Sequence, residues 1–312
     1  MPLVDKKIPL IVIVGPTAVG KTELSIKLAR QMNGEIVSAD SRQIYRKMNI
    51  GTAKPNPEEL SAVQHHLIDV VNPEEIFSLA LFQQSAYQII DDIHRRGKLP
   101  FLVGGTGQYV RAVVQGWKPP ELEPDIELRK KLEEDAKTCG GDYLYKQLCE
   151  KDPDAASMID PRNVRRVIRA LEVIEQTNQP FSVQRGKVEP RYACIQVGLI
   201  RPRQELYQRI DLRIDQMIAN GLLQEVEKLL ADGCPIDSPS LSAIGYREMV
   251  AVIQGKHDIE EAVILMKRAT RNYVRRQANW FQLNDTTIQW FEMNEQIFEH
   301  VLAYCQDQLR DH

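Results

Sequence analysis

A glycine-rich segment between an apolar run and a helical pattern constrains the fold of this chain more than any other feature. Residues 9–14 are a short apolar run with several β-branched side chains that ends at Gly15, which is typical of a buried parallel strand. Residues 15–22, Gly-Pro-Thr-Ala-Val-Gly-Lys-Thr, match G-x-x-x-x-G-K-[ST] at every fixed position, and a helix is predicted over 20–31. A strand, this loop and a helix in that order predict an α/β fold with a phosphate-binding loop (P-loop).

The residue types of the P-loop explain why it should bind a polyphosphate. Glycines allow backbone N–H groups to turn toward one ligand, and the helix N-terminus adds positive potential. Lys21 supplies a cation for phosphate oxygens, and Thr22 supplies a hydroxyl for Mg²⁺, the one cofactor that we expect. Phosphate contacts are predicted for the whole loop, which consists of Gly15, Pro16, Thr17, Ala18, Val19, Gly20, Lys21 and Thr22. The motif by itself identifies neither the polyphosphate nor the reaction.

Further strand candidates alternate with helical patterns along the chain. They are residues 35–39, 99–103 and 193–199, and a long helix is predicted over 78–96. This alternation predicts a parallel sheet of the P-loop NTPase type. After Pro202 the chain is predicted to be almost wholly helical.

A stretch of charged helical patterns interrupts the strand candidates, with prolines near its start and Gly186 to Pro190 at its end. We therefore predict an α/β core in two parts, 1–115 and 191–312, the second mostly helical. A helical insertion domain is predicted over 116–190.

Composition indicates an ordinary soluble globular protein, with 43% hydrophobic and 27% charged residues and a net charge of −3. An apolar run of about 18 residues, which a transmembrane helix needs, is missing from the sequence, and the N-terminus does not resemble a signal peptide. The five cysteines are odd in number and lack C-x-x-C spacing, which favours a reducing cytoplasm. We expect a cytoplasmic monomer without membrane contact or an obligate protein partner.

Two further polar segments follow strand candidates. Residues 104–107, Gly-Gly-Thr-Gly, come after the strand at 99–103, and Asp40 ends the strand at 35–39. Both should lie at the carboxyl edge of the sheet beside the P-loop. The glycines permit a backbone nest with Thr106 as a hydroxyl donor, or they serve backbone shape alone. Asp40 could be a catalytic base, a turn or helix cap, or a Mg²⁺ ligand.

Arginines concentrate in three groups despite the negative net charge. One falls at helical spacing on one face, another follows the same pattern near the C-terminal end, and a third follows the last strand candidate. Such faces suit phosphate backbones, whereas solvated or acid-paired helix faces are the alternative. The groups are Arg162, Arg165, Arg166 and Arg169; Arg268, Arg271, Arg275 and Arg276; and Arg201, Arg203, Arg209 and Arg213.

Motifs of other P-loop proteins are missing from the sequence. It contains neither an N-K-x-D guanine motif nor a D-x-x-G switch at a useful distance after the P-loop. A molecular switch or motor ATPase is therefore disfavoured.

Taken together, these motifs resemble one family, the tRNA dimethylallyltransferases, over nearly the whole chain. The matching segments lie at 15–22, 38–45 (Ser-Ala-Asp-Ser-Arg-Gln-Ile-Tyr), 48–55 (Met-Asn-Ile-Gly-Thr-Ala-Lys-Pro), 65–69 (His-His-Leu-Ile-Asp), 104–109 (Gly-Gly-Thr-Gly-Gln-Tyr), 169–173 (Arg-Ala-Leu-Glu-Val) and 245–247 (Gly-Tyr-Arg). The resemblance implies transfer of a dimethylallyl group from dimethylallyl diphosphate to N6 of adenine 37, in tRNAs that read codons beginning with U. Diphosphate would be the leaving group.

The resemblance also implies catalytic roles for Asp40, Thr106 and Arg213. Asp40 would be the base that takes a proton from N6. Thr106, Arg213, Lys21 and a Mg²⁺ ion on Thr22 would stabilise negative charge on the leaving diphosphate.

The target adenine must leave its stack, so base flipping is implied. The resemblance places tRNA contacts in four segments, of which the second lies in the insertion and would clamp the anticodon stem-loop. They are Asp40, Ser41, Arg42 and Gln43; Arg165, Arg166 and Arg169; Gly245, Tyr246 and Arg247; and Arg275, Arg276, Gln277 and Trp280.

The sequence departs from the family pattern at Gln108, Ala278, Asn279 and Gln282, which affects details of RNA contact. Three other functions stay open at this point. They are a small-molecule kinase, an isopentenyltransferase acting on free adenine nucleotides, and an RNA-binding protein with a vestigial P-loop.

Overall fold

A computed structural model describes residues 7–120, 122, 125–184 and 186–310. The chain forms two compact units: a larger one from the described residues up to Val114 and from Pro190 onward, and a smaller one over Gln115–Glu189. The predicted insertion, 116–190, is offset from the smaller unit by one residue at each end.

The larger unit is built on a parallel sheet. In chain order the strands of the protein are β1 (Ile8–Val14), β2 (Gly34–Ser38), β3 (His65–His66), β4 (Leu99–Gly104), β5 (Trp117–Lys118), β6 (Gly186–Lys187), β7 (Tyr192–Ile200) and β8 (Ile288–Glu292). Six of them form one sheet in the order β3-β2-β4-β1-β7-β8, and every pairing in it is parallel. The predicted parallel α/β sheet is therefore confirmed.

Helices cover both faces of this sheet and make up most of the smaller unit. They are α1 (Lys21–Gln31), α2 (Pro57–Ala62), α3 (Leu79–Arg95), α4 (Gly107–Val114), α5 (Ile126–Cys139), α6 (Gly141–Lys151), α7 (Pro153–Met158), α8 (Val164–Thr177), α9 (Phe181–Gln184), α10 (Arg203–Ala219), α11 (Leu222–Ala231), α12 (Tyr246–Ile253), α13 (Ile259–Trp280) and α14 (Ile297–Arg310). None of the helices in the described part of the chain has an apolar stretch long enough to cross a bilayer.

The central strand β1 is apolar throughout because both of its faces are covered. Ile11 and Ile13 belong to one apolar cluster, which includes Leu28 of α1. Leu10 and Val12 belong to a second cluster on the opposite face, with Phe82 of α3. This double burial explains why the strand reads as a continuous apolar run.

The strand β8 corrects the prediction that the chain is helical after Pro202. It pairs with β7 at the edge of the sheet, where Gln196 lies opposite Ile288. Its five residues follow a polar turn at 284–287, and a run this short acquires its conformation from the neighbouring strand rather than from local propensity.

A buried carboxylate anchors the amino end of β2. The Glu35 side chain is 3% exposed and lies 2.6 Å from Arg96 Nη1, 2.7 Å from Lys98 Nζ and 2.8 Å from His66 Nε2. These charge-assisted hydrogen bonds, led by the one from Arg96, hold the pKa of Glu35 far below its ordinary value. The carboxylate thereby joins β2, β3 and the segment before β4.

We expect the substitution Glu35→Gln to lower the free energy of unfolding by about 1–3 kcal/mol at neutral pH, since it removes a charged acceptor from a buried cluster. The depressed pKa makes the contribution of Glu35 complete above the unfolded-state pKa of about 4.3 and progressively lost as the pH falls below it. Urea unfolding curves should therefore show a steeper loss of stability on acidification for the wild type than for the variant. Glu58→Gln, at an exposed position of α2, serves as the control, and equal pH slopes for Glu35→Gln and the wild type would contradict the assignment.

Candidate active site

The parallel sheet brings three functional segments to one edge. β4 lies between β2 and β1, with Ser38 opposite Val103 and Val14 opposite Gly104. The P-loop, the Asp40 turn and the 104–107 loop therefore all leave the sheet at adjacent carboxyl ends, as the sequence predicted.

Lys21 of the P-loop points back toward its own loop. Its Nζ donates to the carbonyl oxygens of Gly15 and Pro16, both at 2.9 Å. Burial lowers the pKa of the Lys21 ammonium to about 8, while the nearby charge of Asp40 opposes this shift. The cation is thus held in a dehydrated recess, where its attraction for a phosphate oxygen is stronger than in water.

Arginines of α10 and of the segment before it lie around the P-loop. Arg201 Nε donates to Val19 O, and Arg209 Nε donates to Ala18 O, both at 2.9 Å. Burial lowers the pKa of Arg213, with a further contribution from the charge of Arg209. The resemblance to the family placed Arg213 at the site, whereas Arg209 was assigned only to a basic group. The hydrogen bond from Arg209 Nε to Ala18 O shows that Arg209 also lies against the P-loop.

The Asp40 turn and the 104–107 loop are hydrogen-bonded to each other. Thr106 Oγ1 accepts a hydrogen bond from Ser41 N at 3.0 Å, and Thr106 N donates to Ala39 O at 3.2 Å. Asp40 Oδ1 accepts from Arg42 N at 2.8 Å, so this carboxylate does cap a turn. A turn role uses one carboxylate oxygen and leaves the second for a proton, so the cap and base interpretations are compatible.

The other two residues of the Asp40 segment are held by protein contacts. Arg42 Nη1 donates to Pro239 O at 2.9 Å. Gln43 Oε1 accepts from Ser38 Oγ at 3.1 Å, while its Nε2 donates to Ala53 O at 3.2 Å. The segment is therefore fixed in place before any ligand binds.

One face of α13 lies directly on both loops. Gln277 is 3% exposed; its Oε1 accepts from Thr17 N at 2.9 Å and its Nε2 donates to Gly105 O at 3.0 Å. One helical turn earlier, Tyr273 is hydrogen-bonded to Thr106, and burial together with the charge of Asp40 raises the pKa of its phenol to about 12.

The glycines of the 104–107 loop allow this close approach. A Cβ atom on Gly105 would lie 2.3 Å from Gln277 Nε2, and one on Gly107 would lie 2.2 Å from the Trp280 ring. Neither glycine has positive φ. Close packing against α13 therefore explains the glycines at these two positions, and a left-handed nest conformation does not.

Residues expected to contact tRNA fall into two groups within the larger unit. Arg247, Arg275 and Arg276 are exposed, and Trp280 is 37% exposed. Gly245 and Tyr246 are buried, and the Tyr246 hydroxyl donates to Glu225 Oε1 at 2.6 Å. Glu225 also accepts from the backbone N–H groups of residues 49–51. In this structure Gly245 and Tyr246 support the fold and offer little surface to RNA.

The arginines of α8 in the smaller unit differ among themselves. Arg165 and Arg166 are exposed, and within the described residues neither has an ion-pair partner. Arg169 donates to the fully buried Glu172 at 2.9 Å, which also pairs with Arg129. Arg162 precedes the N-cap of α8, Asn163, so it does not share the helix face expected from its spacing, and it pairs with Asp160 at 2.7 Å. Of the four arginines, Arg165 and Arg166 are therefore the unneutralised cations.

Sequence reasoning missed Tyr273 and misjudged the surroundings of Gln277. A signal was present, because the two residues are four positions apart and therefore share one helix face. The arginine pattern of the same helix instead drew attention to its opposite face. Which face meets the P-loop is decided by tertiary packing.

Comparison with known proteins agrees with this geometry. The family model for IPP transferase matches residues 43–284. The chain is 54% identical to the tRNA dimethylallyltransferase of Roseiflexus sp. (strain RS-1), covering 88% of this chain and 90% of that protein. It is 45% identical to that of Thermomicrobium roseum, covering 93% and 88%.

Solved structures give the same result for the fold. The tRNA isopentenylpyrophosphate transferase of Bacillus halodurans is 42% identical, with a TM-score of 0.71 over 98% of this chain and 100% of that one. A eukaryotic dimethylallyltransferase acting on tRNA is 27% identical, with a TM-score of 0.79 over 98% of this chain and 80% of that one. With a P-loop, an adjacent carboxylate and these relatives, the chain belongs to the IPP transferase family, the family of the tRNA dimethylallyltransferases.

Proposed function

We propose that the protein transfers the dimethylallyl group of dimethylallyl diphosphate to N6 of adenine 37 in tRNAs that read codons beginning with U. The products are N6-dimethylallyladenosine and diphosphate. The observation that carries this proposal is the position of a carboxylate, Asp40, at the same sheet edge as the P-loop. The relatives that are named for this reaction support it.

In the reaction, N6 attacks carbon 1 of the prenyl group as the bond from that carbon to the diphosphate oxygen breaks. The electron pair of the broken bond goes to the diphosphate oxygen, and the N6 proton goes to Asp40. Asp40 Oδ1 is occupied by Arg42 N, so we assign proton transfer to Oδ2. The orienting hydrogen bond fixes the carboxylate with respect to the incoming amine.

Negative charge on the departing diphosphate is stabilised by cations that are already in place. Lys21 and Arg213 are both half-buried, and burial lowers the pKa of each. Arg209 Nε donates to Ala18 O, while its terminal nitrogens bond no group among the described residues. Stabilisation of developing charge by groups that need no reorganisation during the reaction is usually the largest single contribution to catalysis.

Mg²⁺ fits this site only as a partner of the diphosphate. No group of three or more acidic, histidine or cysteine side chains within the described residues could hold a metal. The half-exposed Thr22 at the start of α1 is suited to a Mg²⁺ ion that keeps most of its waters and binds substrate phosphate oxygens. The ion would neutralise charge on the leaving group.

Recognition of tRNA is proposed to use the exposed cations Arg165, Arg166, Arg275 and Arg276, together with Arg247, which is exposed but pairs with the buried Glu248 at 2.6 Å. A flipped adenine would meet the Asp40–Gln43 segment, which is fixed by protein hydrogen bonds. All five cysteines are free thiols, which is consistent with action in the reducing cytoplasm.

The proposal is tested by incubating the protein with dimethylallyl diphosphate, Mg²⁺ and unmodified tRNA, then digesting the RNA and weighing its nucleosides. N6-Dimethylallyladenosine is expected at position 37. Parallel reactions with AMP and with labelled ATP identify the competing functions. Prenylation of AMP without tRNA product, or transfer of the ATP γ-phosphate to a small acceptor, would overturn the proposal.

Asp40→Asn should lower kcat by about 10²- to 10⁴-fold, because an amide cannot accept the N6 proton. It retains an oxygen for Arg42 N, so the turn should persist and the Kd for tRNA should change little. Asp40→Ala removes both functions and tests the turn separately. Single-turnover transfer and filter binding provide the two measurements, and a matching loss of tRNA affinity in Asp40→Asn would assign Asp40 a structural role.

The affinity for dimethylallyl diphosphate should fall as the pH rises through about 8, because Lys21 loses the charge that binds the anion. The ligand contributes little to this dependence, since its phosphate ionisation lies near pH 6. Lys21→Arg should flatten the dependence because a guanidinium stays charged. Calorimetric titrations between pH 7 and about 9.5 test this prediction, with Lys27→Arg, an exposed residue of the same helix, as the control. An unchanged pH dependence in Lys21→Arg would contradict it.

Arg165→Ala should weaken tRNA binding and reduce the slope of log K against log salt by about 1, because one phosphate contact is lost. Lys130→Ala removes an exposed cation from α5 of the same unit and should leave both quantities near the wild-type values. If the two variants had equal effects, the charge of Arg165 would act only through the overall electrostatic field of the smaller unit and not through a phosphate contact.

A further inference from the structure

Gln277 stands out among the residues outside the catalytic set because its whole amide group is used within the site. It is buried, and its two hydrogen bonds join loops that are far apart in sequence, one to Thr17 N and one to Gly105 O. The donor in one bond and the acceptor in the other come from opposite ends of the same planar group. The uncharged side chain of Gln277 is long enough to span the gap between the P-loop and the 104–107 loop.

The bridge has a direct consequence for the phosphate cradle. Thr17 N donates to Gln277 at 2.9 Å, so this N–H is engaged before any ligand arrives. Val19 N also donates within the loop, to Pro16 O at 3.3 Å, so the N–H groups of Ala18 and of residues 20–22, together with the Lys21 ammonium, are left for phosphate. Gln277 thereby orients the first part of the loop while contributing no charge that would repel the ligand.

The same bridge reaches the catalytic threonine. Gly105 is the neighbour of Thr106, whose hydroxyl accepts from Ser41 N at 3.0 Å. Tyr273, one turn before Gln277 on the same helix face, is hydrogen-bonded to that threonine. Two side chains of α13 therefore hold the loop that faces Asp40.

We propose that Gln277 is a positioning residue for the prenyl diphosphate, fixing the P-loop against the 104–107 loop, and that it is not a contact for tRNA. This deepens the proposed function and rests on it. The resemblance to the family had placed Gln277 among the residues expected to contact RNA; its burial and its two occupied polar atoms are the reason for the new assignment.

The glycine at position 105 is consistent with this contact. A β-carbon there would come within 2.3 Å of Gln277 Nε2. A side chain at position 105 would therefore displace the Gln277 amide from its hydrogen bond to Gly105 O.

The test compares Gln277→Leu, which removes both hydrogen bonds, with Gln277→Glu, which has the same shape. In the folded Gln277→Leu variant, the Kd and KM for dimethylallyl diphosphate should rise about tenfold or more, as the loss of two hydrogen bonds implies. The kcat and the Kd for tRNA should change much less. Gln306 is an exposed glutamine of α14, so Gln306→Glu is the control for replacing an amide by a carboxylate.

The Gln277→Glu variant provides a readout that a general packing defect would not produce. When protonated, its carboxyl group can still donate to Gly105 O, whereas the ionised form places negative charge against that carbonyl and near the diphosphate. The ratio of variant to wild-type KM for the prenyl donor should therefore rise with pH. The charges of Asp40, Arg42 and Arg276 act on the neighbouring Tyr273 phenol, and Lys21 lies in the P-loop beside Thr17. All these groups are present in both proteins, so the ratio removes their own titration.

Direct titration with dimethylallyl diphosphate separates this proposal from the proposed function. If the wild type binds the donor but does not modify tRNA, the function fails while the effect of Gln277 can still be measured. A folded Gln277→Leu variant with wild-type donor affinity would overturn the proposal. So would a variant whose only defect is a raised Kd for tRNA.

Discussion

The parallel pairing of β2, β4 and β1 is the constraint on which the rest of the structure depends. Parallel strands end at a common edge, so three loops that are distant in sequence leave the sheet as neighbours. The hydrogen bond from Ser41 N to Thr106 Oγ1 is possible only because of this arrangement. Burial of β1 on both faces fixes the sheet, and the positions of the proposed catalytic groups follow from it.

Placing several cations together around the P-loop costs free energy, and backbone carbonyl oxygens offset part of this cost. Lys21, Arg201 and Arg209 lie close together, and each donates to P-loop carbonyl oxygens, at Gly15 and Pro16, at Val19 and at Ala18 respectively. These carbonyls partly neutralise the cations before a ligand binds. A diphosphate would then replace weak acceptors with strong ones, which makes the cradle both stable alone and receptive to an anion.

Buried carboxylates explain why a pattern of basic residues overstates the surface for RNA. Glu172 neutralises Arg169, although Arg169 shares its helix face with Arg165. Glu35 pairs with Arg96 and Lys98 in the same way. Each such pair satisfies a buried carboxylate that would be costly to leave unpaired, and it leaves fewer cations for phosphate contacts.

The sequence by itself determined the α/β class, the P-loop and the common edge shared by Asp40 and Thr106, because each depends on a local pattern or on the rule that parallel strands end together. It did not determine β8, whose five residues become a strand by pairing with β7. It could not decide which face of α13 meets the site, because spacing reveals that Tyr273 and Gln277 share a face but not what that face contacts. Only the tertiary structure shows the amide of Gln277 between Thr17 and Gly105, since a hydrogen bond across 260 residues is set by packing and leaves no local signature.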